Sequence, residues 1–78
     1  MNGVKQESFV HRGHRVTVAH WTHGGKFFVR AEIRHQTALV CVLSRSGAEE
    51  RASKLLAGVH NAAIKWADHQ ASMSKPPG

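Results

Sequence analysis

From Lys26 to His35 the side chains alternate without a break. Phe27, Val29, Ala31 and Ile33 fall on one side, and Phe28, Arg30, Glu32 and Arg34 on the other. Period two is the repeat of an extended strand, whose successive side chains point to opposite faces. A strand with one apolar face needs neighbours for its backbone groups and a cover for that face. The rest of the chain has to supply both.

The neighbours are visible on either side. Glu7 to His11 reads as a short strand stopped at Arg12-Gly13, where glycine can supply the positive φ of a tight turn. His14 to Trp21 reads as a second strand, with Val16 and Val18 alternating with Arg15, Thr17 and Ala19. Thr22-His23-Gly24-Gly25 is the next turn, with the Gly-Gly pair as its signal. Beyond Gln36-Thr37, the run Ala38 to Leu43 has the composition of a fourth strand, buried on both faces or partly covered.

The cover comes from the C-terminal part. Ser46-Gly47-Ala48-Glu49 matches a capping box, which predicts a helix from there to about Ala71. Glu49 and Glu50 would then complement the helix dipole. Ala48, Ala52, Leu55, Leu56, Val59, Ala63, Trp66 and Ala67 share one stripe at 100° per residue, and Glu50, Lys54, Asn61, Lys65 and Asp68 lie opposite. Ile64 departs from the stripe and reads as exposed. The expected architecture is a two-layer α+β domain, a three- or four-stranded antiparallel meander with one long C-terminal helix on one face. Its bounds are 7–71, with 1–6 a flexible N-terminus and 72–78 a disordered tail.

Seventy-eight residues make one domain with a thin core, so burial has to be efficient. The longest apolar run, Ala38 to Leu43, is far too short to span a bilayer, and no signal-peptide pattern opens the chain, so the cytoplasm is the default expectation. The lone cysteine, Cys41, sits between Val40 and Val42 and reads as a buried apolar residue in a reducing compartment.

Charge separates the two layers. Residues 1–45 hold seven Lys/Arg against two acids, whereas residues 46–78 hold four against three. The basic character belongs to the strands. Arg15, Arg30 and Arg34 project to the face the helix leaves open, with Phe28 and Trp21 beside them. Arginines interleaved with exposed aromatics suit phosphates and base stacking. They equally suit a solvated sheet face with Phe28 shielded by arginine stems.

The remaining chemistry-bearing residues do not assemble into a site. His11 and His14 lie at one end of the first hairpin and His20 and His23 at the far end of the second strand, roughly 20 Å away at ~3.3 Å per residue. The two pairs cannot share a metal ion within one chain, and no metal or other cofactor is expected. The histidines would add charge to the cationic face below about pH 6.5. Gly24-Gly25 is a hairpin turn with no helix after it, so it is not a phosphate loop. No nucleophile, base and acid set appears, and no enzymatic activity is expected.

The segments Ser8-Phe9-Val10-His11-Arg12-Gly13-His14-Arg15-Val16 and Phe27-Phe28-Val29-Arg30-Ala31-Glu32-Ile33, with a helix ending in Lys65-Trp66-Ala67-Asp68, resemble small uncharacterised proteins of Burkholderia-type proteobacteria. The resemblance spans about residues 8–70 and implies a sheet-plus-helix fold without an assigned activity. The chain is less similar to double-stranded-RNA-binding domains. It lacks their N-terminal helix, and it has Ala48-Glu49-Glu50-Arg51-Ala52 where they open the last helix with lysines. The expected function is a non-catalytic binding or interaction module working through Arg15, Trp21, Phe28, Arg30 and Arg34. The partner would be a protein or a second copy of the chain, with nucleic acid the specific alternative and no membrane involved.

Overall fold

The computed structural model describes residues 3–73. Four antiparallel strands form one open sheet in the order β1-β2-β3-β4, with β1 at Lys5–His11, β2 at His14–His23, β3 at Lys26–His35 and β4 at Ala38–Ala48. A 3-10 turn, Glu49–Arg51, leads into the helix α1, Ala52–Met73, which packs on one sheet face. The fourth strand is therefore present, and it pairs at an edge.

All three hairpins close through two-residue turns with positive φ at both positions: Arg12-Gly13, Gly24-Gly25 and Gln36-Thr37. This left-handed geometry matches the right-handed twist of the flanking strands. It also keeps the register continuous. Val16 stands opposite Ile33, Val18 opposite Ala31 and Thr22 opposite Phe27, so the apolar side chains of β2 and β3 share one face.

The core lies between that face and α1. Val16, Val18, Val29, Ala31 and Ile33 from the sheet meet Val59 and Ala63 from the helix, all essentially inaccessible to solvent. Phe9, Leu43, Leu55, Leu56 and Trp66 pack around them. The helix crosses the sheet obliquely. Near its start Leu55 lies over Gly47 of β4, and near its end Asp68 reaches His11 of β1.

Several elements differ from the sequence reading. β1 begins at Lys5, two residues earlier than read, with Lys5 opposite His20 and Gln6 opposite Ala19. Ser46 does not cap the helix. It remains in β4 opposite Phe28, because β3 reaches back to Lys26 and the ladder extends to Ala48. Strand pairing takes the backbone groups that a capping box would have used, and Glu49 donates its amide to the Gly25 carbonyl at 3.2 Å. Ala48 consequently leaves the helix stripe and is exposed at the strand end. The helix runs past Ala71 to Met73, and the rest of the expected tail lies outside the described residues.

The apolar run in β4 is not enclosed. Cys41 and Leu43 turn toward α1 and are half-buried, while Leu39, Val40 and Val42 are exposed. The meander leaves β4 with a neighbour on one side only, and one helix covers one face. Ile64, read as exposed, is half-buried. Small Ala63 and Ala67 at the contact let the helix approach the sheet closely, which widens its covered arc. Asp68, assigned to the solvated side, instead accepts from His11 Nε2 at 2.8 Å and stands 3.5 Å from Arg12.

Candidate functional site: the open sheet face

The face opposite α1 is set by the same registers. Across β2 and β3 they place Arg15 opposite Arg34, Thr17 opposite Glu32, Ala19 opposite Arg30 and Trp21 opposite Phe28. Val10, Ser8 and Gln6 extend these rows on β1, and Leu39, Val42, Ser44 and Ser46 on β4. All five residues singled out from the sequence (Arg15, Trp21, Phe28, Arg30 and Arg34) thus occupy one face. They divide into two groups.

The first group lies toward the Gly24-Gly25 turn. Trp21 and Phe28 stack across the strand boundary, with ring centroids 5.6 Å apart and planes 13° from parallel. Both are only half-buried. With Arg30, Ser44, Arg45 and Ser46 they line a shallow concavity of about 450 Å³. The serines and Arg45 were not anticipated, because the sequence reading ended the strand at Leu43 and used Ser46 as a helix cap. Strand pairing is the signal that would have found them.

The second group lies toward the opposite end. Arg15 and Arg34 stand directly across from one another on neighbouring strands. Like charges so placed cost stability, on the order of 0.2–1 kcal/mol. With Val10, Gly13, Gln36 and Thr37 these arginines border a second concavity of about 460 Å³. Between the groups, Glu32 accepts from Arg30 at 3.1 Å and from Arg34 at 3.4 Å. One carboxylate is shared by two guanidinium groups, and Arg15 has no acid directly across from it. The face keeps a positive excess.

Four of the histidines make ring contacts that serve the packing. His14 is buried and donates its Nδ1–H to the Arg12 carbonyl at 3.0 Å. Its ring stacks on His35 and meets the edge of Trp66. His60 packs on Phe9 and His20 on Phe27. Among the described residues no group of three or more His, Cys, Asp or Glu side chains is arranged to hold a metal ion. Desolvation pushes the Cys41 thiol up from its ordinary value, which leaves less thiolate and a poorer nucleophile at neutral pH. No described helix is long and apolar enough to cross a membrane. Comparison with protein-family models, curated proteins and solved structures returned no match.

Proposed function

We propose that the protein is a non-catalytic binding module whose open sheet face takes up single-stranded nucleic acid. The observation that carries this reading is the stacked Trp21–Phe28 pair, half-exposed and bordered by Arg30. A base can extend an aromatic stack whatever its identity, and the neighbouring guanidinium of Arg30 can hold an adjacent phosphate. The opposed Arg15 and Arg34 add to it, since a phosphate between them would relieve their repulsion. An intact duplex keeps its bases stacked internally and gains nothing from the aromatic pair, so single strands are favoured. A lone reduced cysteine fits a reducing compartment such as the cytoplasm.

The test is fluorescence anisotropy with labelled oligo-dT and oligo-U, against a duplex of equal length. Single strands are expected to bind more tightly than the duplex. Phe28→Ala should weaken binding about 5- to 150-fold, the equivalent of ~1–3 kcal/mol per stacked base. Arg30→Glu should weaken it further, by placing a negative charge beside the phosphates. Binding that ignores both substitutions would overturn the reading. A salt-independent contact with a protein that is lost on Phe28→Ala would reassign the face to protein recognition.

A further inference from the structure

A further uncovered feature among the described residues is the outer edge of β4. The strand that forms it carries Leu39, Val40 and Val42, which are 48%, 43% and 43% exposed, Leu39 and Val42 on the open-face side. The strand is eleven residues long, and its outer backbone groups have no ladder partner within the sheet. Folded proteins usually blunt such an edge with charge, proline, shortness or a bulge. β1, the other edge, is seven residues long and carries Lys5 and Glu7. β4 has a single charged residue, Arg45. Its one irregularity sits at Leu39 and Val40, opposite Arg34, and leaves Cys41 to Ala48 regular.

We propose that β4 pairs antiparallel with β4 of a second copy, about a two-fold axis through Val42, to give one continuous sheet. The strand is self-complementary in this register. Val42 meets its own counterpart and Cys41 faces the partner's Leu43, while Arg45 falls across from the irregular Leu39–Val40 stretch and not from a second charge. No two like charges are opposed, and the exposed valine is covered by valine. Packing open face against open face would instead bring Arg15, Arg30 and Arg34 of both copies together. The two-fold axis runs perpendicular to the sheet, so both open faces lie on one side and both helices on the other. The argument for the pairing does not rest on what that face binds, although β4 supplies Ser44, Arg45 and Ser46 to the border of its concavity.

Sedimentation equilibrium without oligonucleotide tests it. The expected mass is twice the 8.6 kDa of one chain. Val42→Lys opposes two lysines at the axis and should return the mass to that of one chain, with an unchanged circular dichroism spectrum. A Cys41→Ser, Val42→Cys variant should be joined into dimers by a short bis-maleimide, which fixes the register. A single-chain mass for the unaltered protein would overturn the proposal, as would a dimer unaffected by Val42→Lys. Mass that climbs without limit would also overturn it, because pairing of β4 with β1 propagates head to tail and does not close.

Discussion

Thr37 occupies a backbone conformation that its side chain resists. Its φ is +71°, and the equivalent second positions of the other two hairpin turns, Gly13 at +78° and Gly25 at +75°, are glycines. A β-branched residue there is an outlier, and the left-handed region costs an L-residue about 1–2 kcal/mol. Part of that would return as the added chain entropy of glycine in the unfolded state. Thr37→Gly is therefore expected to stabilise the protein by about 1 kcal/mol, read as a higher urea midpoint. The strain borders the concavity that holds Arg15 and Arg34. Residue-scale chemistry was only partly legible from sequence. Alternation alone put Arg15, Arg30, Arg34 and Phe28 on the open side. That Arg15 faces Arg34, or that Glu32 is shared between two arginines, depends on register, which becomes readable only once the turn lengths are known.

At the scale of elements, α1 approaches β4 closely at Gly47. A Cβ built there would lie 3.1 Å from Leu55 Cδ1, so the helix start rests directly on the strand. Gly47→Val adds branched bulk under the leucine and should cost about 1–3 kcal/mol, measured by chemical denaturation. Combining it with Leu55→Ala should recover part of the loss, because the second change removes the obstructing methyl groups. This junction is also where the sequence misleads. Ser46-Gly47-Ala48-Glu49 satisfies the local rule for a helix start, yet the ladder to β3 extends to Ala48 and Ser46 stays a strand residue. Local capping geometry lost to long-range pairing that a window of four residues does not contain. Where no such competition existed the elements were legible. β2 and β3 follow their alternation, and α1 buries Val59, Ala63 and Ala67 as its stripe requires. The composition of Ala38 to Leu43 marked a strand but not its position, since burial on one face or two depends on how many helices cover the sheet.

For the whole molecule, the separation of charge between layers sets how binding responds to ions. The sheet segment holds the positive excess, and the open face displays Arg15, Arg30 and Arg34 together. With about three phosphates neutralised, the logarithm of the binding constant should fall with the logarithm of salt concentration at a slope of about −2, taking ~0.7 per phosphate for a single strand. Arg15→Gln should make that slope shallower by about 0.7, without the stacking loss expected of Phe28→Ala. Surface charge of this kind was legible from composition. The elongation of the molecule, 52 × 21 × 14 Å, was not, because it depends on how the strands and the helix are stacked.

The oblique path of α1, from Gly47 on one edge strand to His11 on the other, bears on how the chain is made. Synthesis delivers the four strands before the segment that covers them. On the ribosome, Val16, Val18, Val29 and Ile33 have no lid until the helix has emerged, and its final turns complete the contact with β1. The nascent meander is thus a period of exposure, in which an unprotected β4 edge and a bare apolar face are presented together to whatever receives the chain.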